Sequence, residues 1–384
     1  MIKSYIPTIA TVFGRGALTQ LGEKVAEMGC KKVMVVCDEA CAKFGTLAKA
    51  EESLKQAGVE YLVFDEVTPD APDTTVDKGA GIARAEKVEC VIGIGGGSSM
   101  DTAKAIGCLL DNPGSINDYL TEPPTFVDTK TPIVVIPTTS GTGSECTDHG
   151  VIHDTKNNRK PAVFLLSKLA IVDPELTATV PPMTTATTGL DAYTHAAEAI
   201  TTNNRDPRSE VVAVAAIEKV AKYLPKAVAN GSDMDAREQM SLAANWAGMA
   251  LQDAGVHFGH SIADAFSAAF GTPHGLNCAW GNPELMKLIA PAVPDKVQIV
   301  GEALGVRFFG TETPEEIGEK TAAAVRTLMH ACKIPSLASM GFTREAVIAA
   351  APIACESGLR FVCPVEVTEE KAAEMFGAMY DNYQ

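Results

Sequence analysis

The chain has 384 residues, 46% of them apolar and 21% charged, with a formal net charge of −16. That length allows two domains with separate cores, and the acidic balance argues against a nucleic-acid or anionic-membrane partner, whose phosphates demand a basic patch. Nothing approaches the ~18 consecutive apolar residues of a membrane span, and ten cysteines scattered without CxxC pairs read as free thiols of a reducing cytoplasm.

The opening, MIKSYIPTIATVFGRGALTQLG, reads as a strand followed by a turn, not as a secretion signal. Four short β-branched runs follow, with Asp, Gly or Thr at or near their ends: KVMVVCD (32–38), EYLVFDEV (60–67), ECVIGIGGG (89–97) and PIVVIPTTS (132–140). Between them lie helical patterns such as CAKFGTLAKAEESLKQAG and TVDKGAGIARAEK. This alternation predicts a parallel sheet covered on both faces, with ligands bound at the carboxyl ends of its strands.

After Val180-Pro181-Pro182 the period changes. SEVVAVAAIEKVAKYL, MDAREQMSLAANWAGMALQDAG, PEEIGEKTAAAVRTLMHACK and TEEKAAEMFGAMYDN all carry helical spacing, stopped by Pro and Gly. The expected organisation is an α/β dinucleotide-binding domain over 1–181 and an all-helical, metal-binding domain over 182–384.

Gly95-Gly96-Gly97-Ser98-Ser99-Met100 follows a strand and opens a helix. Its glycines let an anion approach the backbone, and the N–H groups and hydroxyls at the positive helix end can donate to phosphate. It is neither GxGxxG nor GxxxxGKS, so neither the dinucleotide fingerprint nor the ATPase loop is supported. Pro137 to Glu145, rich in hydroxyls, belongs on the same edge; two such loops suit a pyrophosphate and a ribose. Asp38 closes the first of the four runs. It either accepts from an adenosine ribose and repels a 2′-phosphate, or caps the helix beginning at Glu39.

Asp191 and His195 stand i,i+4, which stacks them on one helical face about 6 Å apart along the axis. His260 and His274 complete one carboxylate and three imidazoles in apolar, small-residue sequence. Unpaired there, each would cost several kcal/mol; a shared divalent cation removes that cost.

FGRGALTQLGE, GGGSSMDTAKA, IPTTSGTGSE, GLDAYTHAAEA and HSIADAFSAAFGTPHG, in that order, make essentially the whole chain resemble the iron-dependent (group III) alcohol dehydrogenase family. The resemblance implies a dehydroquinate-synthase-like architecture, an α/β dinucleotide-binding domain and an all-α domain with the active site in the cleft between them. It puts the metal ligands on Asp191, His195, His260 and His274, and the dinucleotide contacts on Gly96, Gly97, Ser98, Ser99, Met100, Thr138, Thr139, Thr142 and Lys160. It also favours NAD through Asp38. The implied activity is metal-dependent hydride exchange between NAD(H) and a small alcohol, giving an aldehyde or ketone, in a homodimer or larger homo-oligomer. Fe²⁺ is the implied cation, with Zn²⁺ as the alternative.

Three places depart from the family's pattern. Many relatives carry a proton-relaying His four residues after the third ligand; this chain has Asp264, so the relay falls to Asp264 or to another group, His257 being nearest. Asp70 replaces a cofactor-contacting amide in the turn Pro69-Asp70-Ala71. Asp148 and His149 fall near the expected substrate pocket, to which Phe258, His257 and Trp280 are further lining candidates. A dehydroquinate-synthase-like lyase, also NAD- and metal-using, is the alternative enzyme. It would need Lys and Arg converging on the site, and few lie near the ligands. A non-catalytic dinucleotide- or metal-binding protein is a third reading.

Overall fold

Runs of Val and Ile become strands wherever Gly, Asp or Pro punctuates them. In the computed structural model, which describes residues 9–121 and 123–384, these are β1 (Ala10–Phe13), β2 (Lys32–Val36), β3 (Glu60–Phe64), β4 (Cys90–Gly95), β5 (Ile133–Pro137), β6 (His149–Val151), β7 (Ala162–Phe164) and β8 (Leu169–Val172). Six form one sheet in the order β1-β8-β5-β4-β2-β3, every neighbouring pair parallel. From β2 the chain steps outward to β3, then returns to place β4 on the other side of β2. That reversal is a topological switch point, where open α/β sheets bind ligands.

Period-two alternation serves both faces. Val33, Val35, Ile92, Ile94, Val134 and Ile136 pack one way with Leu21, Val25 and Leu54. Met34, Val36, Val91 and Val135 pack the other way with Val76, Ala80 and Ile106. The covering helices are α1 (Leu21–Glu27), α2 (Glu39–Lys43), α3 (Thr46–Gln56), α4 (Asp73–Ala85) and α5 (Gly97–Asp111). The pattern expected as one helix before β3 is two, broken at Gly45, whose φ of 79° is left-handed. Two features exceed the sequence reading. β8 is a four-residue run, too short to show a period, yet it is fully buried between β1 and β5. β6 and β7 form a small antiparallel ribbon of three-residue strands.

The chain divides into two compact units. The sheet unit runs to Thr139 and resumes over Ser144–Thr179; the helical unit takes Ser140–Gly143 and Val180–Gln384. In the helical unit Gly141 lies against Thr188 and Gly143 against Gly248, so tightly that a Cβ on either would meet its neighbour at 2.6 or 2.4 Å.

Helices α6 (Pro182–Thr201), α7 (Pro207–Ala229), α8 (Met234–Ala254), α9 (Phe258–Phe270), α10 (His274–Ile289), α11 (Pro294–Ala303), α12 (Pro314–Ala331), α13 (Arg344–Ala349), α14 (Ala351–Glu356) and α15 (Glu369–Asn382) build the second unit. Their starts carry the expected chemistry: Asp206 accepts from the Arg208 and Ser209 N–H groups, and Thr313 and Glu316 form a capping box. α6 packs against α7, α8 and α10 and is buried on almost every side. Its many Ala, Gly and Thr residues permit that approach, and they also bring its polar side chains into the core. Gly271, with φ 65°, ends α9, and Pro273 then launches α10.

Candidate active site

At the carboxyl edge of the sheet, Gly95 turns the chain from β4 into α5 with φ 151°, and a Cβ there would strike Ser99 Oγ at 2.4 Å. Gly96 is the N-cap of α5 and has no side-chain cap, so the first N–H groups of a 15-residue helix are left for an incoming acceptor. The Thr138 N–H donates to the Gly95 carbonyl at 2.8 Å. A Cβ on Gly96 would lie 3.7 Å from Thr139 Oγ1, so the hydroxyl of Thr139, just past β5, flanks the glycine turn.

Asp38 is the helix cap, and its second oxygen lies beside the glycine turn. Oδ1 accepts from the Cys41 N–H at 3.0 Å and caps α2, while Oδ2 would stand 3.7 Å from a Cβ on Gly95. Ser99 and Met100 are buried beneath the turn, and their N–H groups donate to the Gly96 carbonyl. Ser98 Oγ accepts from the Asp70 N–H at 3.1 Å. Lys160 Nζ pairs with Asp70 Oδ1 at 2.8 Å, and Asp70 is half exposed. The departure at Asp70 therefore holds the Lys160 charge beside the α5 terminus. Thr142 lies in the segment grouped with the helical unit.

Lys104, fully buried in α5, has a role the sequence reading did not assign. Its ammonium donates to the Ser144 and His149 carbonyls at 2.6 Å, with Ser144 Oγ, Thr147 O and Thr147 Oγ1 at 2.9–3.3 Å. Burial pushes its pKa down, with the Asp101 and Glu145 carboxylates pulling the other way. It pins the hydroxyl-rich loop to the helix beneath it. Asp148 Oδ1 stands 3.3 Å from His149 Nδ1 on that loop.

In the helical unit four predicted side chains converge. The Nε2 atoms of His195, His260 and His274 lie 3.9, 3.9 and 3.8 Å from Asp191 Oδ1. Donors sharing one cation at about 2.0–2.3 Å stand roughly 3–4 Å from each other, so this spacing fits one. Asp191 and His195 come from α6, His260 from α9 and His274 from the first turn of α10. The His195 and His260 rings stack with centroids 4.7 Å apart. Nε2 of His260 is buried without a hydrogen-bond partner, the sort of orphan that a cation satisfies. Burial holds the His195 imidazole at about 4, hence neutral and able to donate its lone pair. Burial raises the Asp191 carboxyl, but the three imidazoles outweigh it and hold the group below its ordinary value.

Glu198 completes the arrangement, and the sequence reading missed it. Its Oε2 accepts from His260 Nδ1 at 2.8 Å and from the His257 N–H at 2.8 Å. Burial alone would raise its carboxyl; the imidazoles of His257 and His260 reverse that and hold it at about 2. A carboxylate on Nδ1 sets the tautomer that turns Nε2 toward the cluster. The approach needs Gly259, since a Cβ there would stand 1.9 Å from Glu198 Oε1. The signal was present: Asp191, His195 and Glu198 fall at i, i+4 and i+7, on one face of a helix.

The two relay candidates differ in setting. Asp264 is 44% exposed on its side chain, with Oδ1 3.9 Å from His274 Nδ1. His257 is fully buried, its Nε2 2.8 Å from Thr201 Oγ1. Phe258 and Trp280 belong to the core, not to a pocket wall as expected: Phe258 is fully buried, and the Trp280 N–H donates to the Pro335 carbonyl at 2.8 Å beside Phe266 and Phe342.

Residues 7–174 match the family described as iron-containing alcohol dehydrogenase, and residues 185–380 match the Fe-containing alcohol dehydrogenase family, C-terminal. The NAD-dependent methanol dehydrogenase of Bacillus methanolicus is 35% identical over 353 residues, covering 90% of this chain and 91% of that protein. The 1,3-propanediol dehydrogenase of Klebsiella pneumoniae is 32% identical over 382 residues, covering 98% of each. The crystal structure of a 1,3-propanediol oxidoreductase superposes with a TM-score of 0.93 at 31% identity, covering 99% of this chain and 100% of that one.

Proposed function

This chain belongs to the iron-containing alcohol dehydrogenase family, and we propose that Asp191, His195, His260 and His274 hold its divalent cation while Asp38, the α5 N-terminus, the threonines after β5 (Thr138, Thr139 and Thr142) and Lys160 hold NAD. The reaction interconverts a small alcohol and its aldehyde or ketone by hydride exchange with NAD(H). The observation that carries the ligand assignment is the convergence of three imidazoles on Asp191 Oδ1 around a buried, unpartnered His260 Nε2.

When bound, the cation supplies Lewis acidity toward the alcohol or carbonyl oxygen, and the dinucleotide supplies the hydride acceptor. The chain's own residues do the rest. Asp191 contributes the one carboxylate charge among the four proposed donors, which would leave a divalent ion electrophilic. Glu198 fixes the His260 ring through Nδ1. Asp264, exposed beside His274, takes the proton released from the alcohol and passes it to water. His257, enclosed and tied to Thr201, supports Glu198 through its N–H. Asp38 Oδ2 accepts from the ribose and excludes a 2′-phosphate.

Iron is the expected cation, although zinc ranks above Fe²⁺ in intrinsic affinity. The lyase reading is disfavoured because the relatives above are dehydrogenases, and it predicts no net change in NADH. The proposal extends to a homo-oligomer in a reducing cytoplasm. Ten buried free thiols support that compartment, and no described helix is long and apolar enough to cross a membrane.

The test is a panel of diols, simple alcohols, hydroxy acids and aldehydes on iron-reconstituted protein, read as stoichiometric NADH formation or loss. His260→Ala should lose bound metal, and with it turnover by about a thousandfold or more, the several kcal/mol a Lewis acid contributes. NAD binding should persist. An unchanged kcat in that variant would refute the ligand assignment.

A further inference from the structure

We propose that Cys278 is a fifth protein donor to the cation, so that this chain's centre contains sulfur beside three imidazoles and a carboxylate. The inference rests on the cation reading above. Cys278 follows His274 by four residues on α10, which places both on one helical face. Its Sγ lies 3.5 Å from Asp191 Oδ1, nearer than any of the three imidazole nitrogens. The donor atoms of Asp191, His260, His274 and Cys278 all lie within 4.8 Å of one another. Among the described residues no other cysteine joins such a group.

A thiol donating weakly to a carboxylate would explain the 3.5 Å contact alone. It would not explain why the same space is faced by His260 Nε2, on a residue only 6% exposed, with no hydrogen-bond partner. The sulfur and the orphaned nitrogen point to one occupant, a divalent cation.

Binding as thiolate releases the thiol proton to solvent and raises the donor charge from −1 to −2 against the +2 ion. Two properties follow. Uptake of each cation releases one proton more than a site without the sulfur would, and the centre favours thiophilic zinc over iron more strongly than three imidazoles and a carboxylate would.

The test uses the full-length protein loaded with Co²⁺, whose thiolate complexes absorb strongly in the near ultraviolet by sulfur-to-metal charge transfer. Wild type with one cobalt per chain should show that band. Cys278→Ser should lose it while keeping the weaker ligand-field bands and its cobalt, and its preference for zinc over Fe²⁺ in competition should fall about tenfold. Cobalt-loaded wild type lacking the band, or a Cys278→Ser protein retaining it, overturns the inference and leaves the four-ligand site standing. A protein that takes up no cobalt overturns the cation reading and this inference with it.

Discussion

The carboxyl edge of the sheet and the centre of the helical unit would meet the ligands proposed for them with different parts of the chain. At the edge, the α5 N-terminus, the Gly95–Gly97 turn and the threonine hydroxyls after β5 offer mostly backbone donors, and Asp70 nearby is half exposed. In the helices every group that matters is a side chain, and Asp191, His195, Glu198 and His260 are all buried. A backbone donor stays in place when neighbouring side chains change. A buried carboxylate or imidazole needs a partner, and that partner needs one of its own; Glu198 exists for His260, and Gly259 for Glu198. The helical centre should therefore be the more brittle of the two.

Glu198→Gln attacks the comparison at its strongest point. The side chain keeps its shape but loses the charge that orients His260, so metal affinity should fall about 10–100-fold while NAD affinity holds. Metal titration and dinucleotide titration on the same variant check it; equal loss of both would erase the distinction. Gly96→Ala is the counterpart at the sheet edge. The φ of −75° suits alanine and its Cβ meets only ordinary contacts, so stability should stay within about 0.5 kcal/mol. NAD affinity should drop about tenfold because the methyl occupies phosphate space, and metal content should not move.

A smaller effect is expected from Asp70→Asn. The 2.8 Å pair with Lys160 is lost and the ammonium is freed for pyrophosphate, so the Kd for NAD should fall two- to threefold, more at low salt, in line with the modest worth of exposed pairs. A weaker Kd would mean that Asp70 positions Lys160 rather than competing for it. The smallest effect concerns Asp154, near Lys160. Hydrogen bonds from Asn157 and Arg159 hold its carboxyl at about 2, below its ordinary 3.8. A depressed folded value stabilises the protein above the unfolded value and is lost as pH falls through about 2. Acid unfolding of Asp154→Asn should therefore be shallower between about pH 4 and 2; an identical acid limb would remove Asp154 from the account.

Much of this was legible in the chain because it is local. Four strands announced themselves as β-branched runs, and the glycine turn was readable as a strand-to-helix phosphate loop because all its donors are consecutive. Asp191 and His195 share one helical turn. β8 escaped notice because four residues carry no measurable period, although burial between two strands makes them core. Trp280 was a candidate for the pocket lining, yet its indole N–H finds the Pro335 carbonyl 55 residues away.

By itself, then, the order of residues determined the change from strand to helix period after Val180, the glycine turn at Gly95–Gly97, and the i,i+4 pair Asp191 and His195, since each depends on spacing within a few residues. Only the tertiary structure decided that α6, α9 and α10 bring three imidazoles within 4 Å of Asp191 Oδ1, that Glu198 rather than solvent satisfies His260, that Lys104 pins the loop at Ser144, and that Cys278 faces Asp191. Those pairings join residues tens of positions apart, and what enforces them is the cost of burying a charge without a partner, which no local pattern of residues records.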